Sequence, residues 1–402
     1  MLKVLFALAL PALLCGQTSR PDTLYQLSGR LSDASTNESI SFATIYCPSC
    51  SYGGTVTNEQ GSYILSSPGP VAEIRVDHIM YGTLKTSVRQ GAGELRMQRE
   101  VHDLPEVVVD GTEALQLVER AYARLASHQN ATYRGEGFYR QATRLDGKYT
   151  ELLEYFVTVK YANQRIGDWK VKTGRYAVTP SPDRIQFINH SYFTRGWRVH
   201  HDAYNPDNFT TPVNPAAYHL YDFRIAGRIQ KEAGEVILVD ALPSADKAGS
   251  LIAARLYILK GSAELLQAEY TLEQFEMDQP VRGTFRPGRL TAAIRFRTAA
   301  DGASLIQSMT TETAVQYHDS AGQAHALEVN SLFINFPPQP VNGKAGASAD
   351  SAFDDLRAAS GKKYRPKWWD RHPVVAATPV EQEVIEDFNR ANYFGNYFDL
   401  RD

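Results

Sequence analysis

Residues 53–65, Gly53-Gly54-Thr55-Val56-Thr57-Asn58-Glu59-Gln60-Gly61-Ser62-Tyr63-Ile64-Leu65, have less conformational choice than any other stretch of this 402-residue chain. Two short runs rich in β-branched and aromatic residues, 55–57 and 63–65, flank the polar pentad 58–62. Within that pentad Gly61 can supply the positive φ that a hairpin turn needs, so the stretch reads as strand, turn, strand. Upstream, Gly29-Arg30-Leu31-Ser32-Asp33 leads through a polar loop into residues 40–46, where Ile40, Phe42, Ala43 and Ile45 predict another strand.

Short β runs recur between residues 22 and 110, at 25–31, 40–46, 54–57, 63–66, 73–79, 84–88 and 94–97. Strands this short and this regularly spaced predict a Greek-key β-sandwich of the transthyretin or immunoglobulin kind. The block resembles the carboxypeptidase regulatory-like domain through Gly29, Asp33, Ala43, Ile45, Gly54, Thr55, Thr57, Asn58, Glu59, Gly61 and Tyr63. Asp77 and Met80 stand where that family usually has Ser and Gly. The resemblance implies a non-catalytic sandwich, because the family name carries no peptidase residues with it. Residues 104–111, Leu-Pro-Glu-Val-Val-Val-Asp-Gly, resemble the segment that joins such a domain to the plug of TonB-dependent transporters in Gram-negative outer membranes. That implies a cell-envelope setting, although a transporter barrel would not fit in the chain that remains.

The N-terminus agrees with export. Residues 1–16 carry Lys3 and an apolar run broken by Pro11, which predicts a secretory signal too short to reside in a bilayer. Cleavage near Gly16 and Gln17 is favoured over a lipid anchor on Cys15, since Leu14 is not the small residue that a lipoprotein signal places before its Cys. The mature chain is then expected in the periplasm or at the periplasmic face of the outer membrane, with no transmembrane helix. The thiols that remain are Cys47 and Cys50. Such a Cys-x-x-Cys is a redox pair, half a zinc site or a loop disulfide, and with no second pair nearby the disulfide is the expectation. No cofactor and no metal site is expected. With 42 basic against 45 acidic residues and no basic block, nucleic acid is disfavoured as a partner.

Thr112 is predicted to start a linker helix over 111–130, with Leu115, Val118, Tyr122 and Leu125 on one stripe. From 131 to 340 longer alternating runs return, at 135–142, 149–161, 176–178, 221–229, 235–239, 253–259, 266–275, 290–297, 304–317 and 324–336. They predict a large curled antiparallel sheet or half-barrel with a few helices, in a mainly β protein. Residues 137–140 with 147–151, and the tail 364–369, resemble the second domain of uncharacterised envelope proteins that also begin with a regulatory-like domain. The strand rhythm over 221–275 is similar to that of periplasmic lipoprotein carriers, whose concave face holds acyl chains. Over 341–402 a loop with a short helix near 353–358 is expected, then a helix that Thr378-Pro379-Val380-Glu381 starts with a capping box.

Chemistry is sparse. His325 and Glu328 have the spacing of two zinc ligands, but in a strand that spacing sends the side chains to opposite faces. No nucleophile elbow, phosphate loop or dinucleotide fingerprint occurs, and no catalytic residue is assigned. The irregular stretch 191–217 and its flank concentrate aromatics and histidines, and Trp197, His201, Tyr204, Tyr218 and His219 are the expected ligand-binding residues. The expectation is a non-catalytic envelope binding or scaffold protein with an outer-membrane or periplasmic protein partner. A carrier of a hydrophobic ligand and a hydrolase of envelope glycans or peptides are the alternatives.

Overall fold

The computed structural model describes residues 25–88, 93–100, 111–128, 131–162, 165–180, 185, 187, 190–244, 251–277, 283–341 and 354–395. The expected signal, Cys15 and most of the transporter-like segment at 104–111 lie outside them. Within these residues the first strands are β1 (Tyr25–Asp33), β2 (Thr44–Tyr46), β3 (Gly54–Val56), β4 (Ser62–Ser67), β5 (Glu73–His78), β6 (Tyr81–Ser87) and β7 (Glu94–Met97). They form two sheets, β4-β1-β7 and β3-β2-β5-β6, with β7 parallel to β1. Leu31, Ile45, Tyr63, Leu65, Ile74 and Val76 fill the space between the sheets, so the mainly β fold and its N-terminal sandwich are as expected.

The side chains of residues 53–65 act locally. Gly61 sits at φ +72°, and the Asn58 Oδ1 accepts from the N–H groups of Gln60 and Ser62, both at 2.9 Å. The Thr57 hydroxyl donates to the Ile40 carbonyl and accepts from the Ala43 N–H, both at 2.8 Å. Those bonds bend residues 40–43 into a turn with Phe42 at φ +55°, so the strand expected over 40–46 is confined to 44–46. Cys47 and Cys50 are joined in a disulfide at the end of β2. Gly54 lies at φ +141°, and a methyl there would overlap the Ile45 carbonyl oxygen. Gly54→Ala is therefore expected to destabilise the sandwich by roughly 1–3 kcal/mol, read as a lower urea midpoint.

The helix α1 (Gly111–Ser127) is followed by β8 (Thr132–Leu145), β9 (Lys148–Ala162) and β10 (Arg165–Val178). After the short α2 (Tyr192–Gly196) come β11 (Tyr221–Lys231), β12 (Gly234–Pro243), β13 (Ala253–Leu259), β14 (Glu264–Phe275), β15 (Thr284–Thr298), β16 (Ser304–His318), β17 (Ala324–Asn335) and β18 (Gln339–Pro340). The helices α3 (Asp355–Ser360), α4 (Pro366–Arg371) and α5 (Pro379–Arg390) complete the chain. Strands β8 to β18 make one eleven-stranded curled sheet, ordered β10-β9-β8-β17-β16-β15-β14-β13-β12-β11 with β18 on the start of β8. Two meanders, 8–10 and 11–17, are stitched together where β17 lies antiparallel to β8, from Gly137 against Asn335 to Leu145 against Leu327. Only the end of β10 was expected, at 176–178; its first half alternates charged residues with Trp169 and Val171, and Gly174 lets Ala359 approach closely.

Alternation gives this sheet two unlike faces. One is covered by helices and is apolar: Tyr139, Leu153, Tyr155, Ile294, Met309 and Phe333 are buried there. Helix α1 belongs to this core rather than spanning between domains, because Ala114, Leu117, Val118, Ala121 and Leu125 are all buried against it. The opposite face bears the sandwich and the C-terminal segment. Val56 packs there with Phe138, Phe156, Leu332, Phe336 and Trp369, and Tyr52 stacks on Phe336 with ring centres 4.7 Å apart. Residues 372–378 run between the two bodies. The Thr55 hydroxyl donates to the Val374 carbonyl at 2.5 Å, and the Asn58 amide donates to the Ala376 carbonyl at 3.1 Å. The capping box at Thr378 and Glu381 forms, and α5 lays Ile385 and Phe388 on Ala142, Leu152 and Ala177 of the sheet.

Candidate functional site

Where the sandwich overhangs the sheet, a cleft of about 550 Å³ remains. Its roof is the turn carrying Asn58 and Glu59, with Phe42 beside it. Its floor is the sandwich-bearing face of β8, β17, β16, β15 and β14, and its end wall is Val375, Thr378 and Glu381. Ala142, Leu332, Ala293, Phe42 and Val375 give it an apolar bed, and Thr271, Thr291 and Thr310 add methyl groups beside hydroxyls. Arg140 and Arg144 stand on one side, Glu269 and Glu312 on the other.

The charges at the rim are held in place. Arg140 donates to Glu154 at 2.6 Å and lies 3.7 Å from Glu381, the residue that also caps α5. Arg144 donates to the Tyr149 hydroxyl at 3.0 Å, lies over its ring at 4.8 Å, and meets Glu328 at 3.5 Å and Glu59 at 3.9 Å. The half-exposed Glu59 is raised above the ordinary carboxylate value, first by desolvation and then by Glu381, Glu312 and Glu328, with Arg144 pulling the other way. No imidazole or thiol is among the lining residues, and the Thr311 and Ser331 hydroxyls bond each other at 2.5 Å. The arrangement holds both an apolar group and a charged one, and none of its hydroxyls is bonded to a base among those lining residues.

The residues expected to bind ligand are elsewhere. Of the connection between the edge strands β10 and β11, the described residues 190–220 lie on the helix-covered face. Trp197 is buried with its ring 5.1 Å from Tyr270. Tyr204 packs at the margin of the same core, and Tyr218 meets Phe223 edge to face at 5.8 Å. His201 is half-buried, its backbone N–H bonded to the Val213 carbonyl, and desolvation pushes its ring down to about 4. His219 is exposed. None of the five lines the cleft under the sandwich. His325 bonds Asp146 at 2.7 Å while Glu328 meets Arg144, so the two do not share a site. Among the described residues no three His, Cys, Asp or Glu side chains are grouped to hold a metal ion.

The cleft residues escaped sequence reading because they come from five strands, turns of the sandwich and the start of a helix. A signal was nonetheless present: Arg140, Ala142 and Arg144 alternate with Tyr139, Gln141 and Thr143, a strand whose outward face is neither fully polar nor fully apolar.

Residues 27–109 match the family model for the CarboxypepD_reg-like domain. No curated protein matches the chain. Among solved structures, a DUF1329 family protein from Desulfovibrio piger aligns with a TM-score of 0.25 and 12% identity, over 61% of this chain and 97% of that one. A LolA superfamily protein from Nitrosomonas europaea aligns with a TM-score of 0.23 and 12% identity, over 57% of this chain and 94% of that one.

Proposed function

We propose that this chain, a CarboxypepD_reg-like domain fixed onto a curled antiparallel sheet, is a non-catalytic binding protein of the cell envelope that holds an amphiphilic ligand. The observation that carries the reading is the 550 Å³ cleft, formed jointly by the sandwich, the sheet and the C-terminal segment. Its volume is that of a small-molecule site, and an apolar bed between Arg and Glu rims suits a short apolar chain with a charged head. The helix-covered face, where a carrier of acyl chains would be expected to keep its ligand, is filled by Trp197, Tyr270, Tyr155 and their neighbours. The ligand space therefore lies on the sandwich side. The export-like residues 1–16 support the envelope setting, and no described helix is long and apolar enough to cross a membrane.

The test is uptake of a fluorescent fatty acid by delipidated protein, with lipid extraction and mass spectrometry of the protein as purified. Ala293→Trp should fill the cleft from its half-buried floor position and weaken uptake at least about tenfold, with the thermal midpoint little changed. A parent protein that takes up nothing and yields no extractable amphiphile would overturn the reading. So would uptake that Ala293→Trp leaves intact.

A further inference from the structure

A second cleft, of about 460 Å³, opens between the other sheet of the sandwich and strands β11, β14, β15 and β16. Its charged lining is mostly basic. Arg75 is paired with Asp77 at 2.9 Å, and Lys85 lies 3.7 Å from Glu232, which accounts for both carboxylates among the lining residues. Two cations remain. Lys231 spends its hydrogen bonds on the backbone carbonyls of His78, at 2.9 Å, and Tyr81. Arg295 is half-buried at mid-strand, between Gln267 on β14 and Ser308 on β16; the charges of Glu269 and Asp77 reach it, but no ion pair to a carboxylate forms among the described residues. His78 is close by, its Nδ1 accepting from the Met80 N–H at 3.2 Å, which leaves the ring proton on Nε2.

A guanidinium held off water without a counter-ion is costly, and planar guanidinium groups pair best with the oxygens of phosphate or carboxylate. We propose that this second cleft is a site for a phosphate-type oxyanion, supplied by a soluble phosphate compound or by a lipid headgroup, with Arg295 and Lys231 as its cationic ligands. The electrostatics agree. Arg295 is pushed down to about 10, with desolvation the leading cause, and His78 to about 3, by desolvation and then by the charges of Arg295, Lys231 and Arg99. For Arg295 desolvation outweighs the pull of Tyr46, Glu269, Tyr257 and Asp77, whereas for His78 the neighbouring cations add to it, and an oxyanion in the cleft would raise both groups. Ile79 and Leu266 flank the cations with apolar surface, so an organic phosphate has a place for its carbon skeleton. The site is separate from the amphiphile cleft and does not depend on it.

The full chain should be titrated calorimetrically with inorganic phosphate at low ionic strength, and floated with phosphatidylcholine vesicles with and without phosphatidylglycerol. Saturable phosphate binding that Arg295→Gln weakens at least about tenfold supports the site with a soluble ligand. Flotation only with phosphatidylglycerol, lost in Arg295→Gln, supports it with a headgroup. Thermal midpoint and near-ultraviolet circular dichroism establish that the variant is folded, and where it is not, Lys231→Gln is read in its place. Absence of both kinds of binding, or binding that neither substitution weakens, overturns the proposal.

Discussion

Glu154→Gln is expected to lower the unfolding free energy by about 3–5 kcal/mol, which is a large part of the margin of most domains. The Glu154 carboxylate is buried and accepts from Arg140 at 2.6 Å on its own face of β8 and from Arg175 on β10. Burial alone would raise it, but the Arg175 and Arg140 charges outweigh that and hold it below the ordinary carboxylate value. Arg175 is itself buried, with its guanidinium 4.6 Å from the Trp369 ring and 5.3 Å from Phe394. Neutralising Glu154 leaves two guanidinium groups facing one another beneath the C-terminal segment. Urea midpoints measure the loss, and Glu154→Leu combined with Arg175→Met should recover much of it, since Arg140 keeps Glu381. A single-variant loss under about 1 kcal/mol would sink the argument.

The contribution that two buried carboxyls make to stability should be lost as pH rises from about 4 to about 7, opposite to the trend set by Glu154. Two carboxyls on the helix-covered face carry protons when folded. Burial pushes Glu151 up to about 7, against hydrogen bonds from Thr143, the Phe187 N–H and Tyr176. It pushes Asp355 up to about 6, against bonds from Ser191 and the charge of Arg195. Their unfolded values are lower, so between the two the folded chain binds more protons than the unfolded one. The stabilisation is complete below the unfolded value and is lost as pH rises through the folded one, on the order of 3 kcal/mol for each group. Glu154 has the reverse sign, because its value is depressed: its contribution holds above the ordinary carboxylate range and is lost below it. Desolvation pushes His78 and His190 down to about 3 and His201 to about 4, which adds to the trend of Glu154, so the carboxyl contribution is read as a difference between parent and variant. Glu151→Gln imitates the protonated form, so its stability relative to the parent should rise between pH 5 and 8 in a series of urea midpoints, and a difference that stays constant across that range would refute the assignment.

The residues that could be read from the chain are those whose structure is decided within a few positions. Gly61, Asn58 and the Thr378 capping box are of that kind, since each bonds its own neighbours. Phe42 is not. Its left-handed backbone follows from Thr57 reaching across to Ile40 and Ala43, so a pattern that looked like a strand became a turn. Most of β10 was hidden because charged residues alternate with Trp169 and Val171 in its first half, and because Gly174, further on, is unsuited to a strand until Ala359 packs on it. Aromatics in an irregular stretch suggested a binding platform at Trp197 to His219. A chain that must cross a sheet face needs apolar anchors of its own, and Trp197 on Tyr270 serves that purpose. The two clefts depend on a rigid placement of sandwich on sheet that no local pattern encodes.

The seam between β8 and β17 also sets an order of events. During synthesis β8, β9 and β10 emerge long before residues 327–335, so the meander waits with one long edge of β8 unpaired while the residues from 179 to 326 follow. Pairing that distant is slow, because closing so long a loop precedes any gain from the contact. An open edge invites other strands in the meantime. This predicament is one that a folding helper would relieve, and the chain is most exposed to aggregation just before β17 arrives.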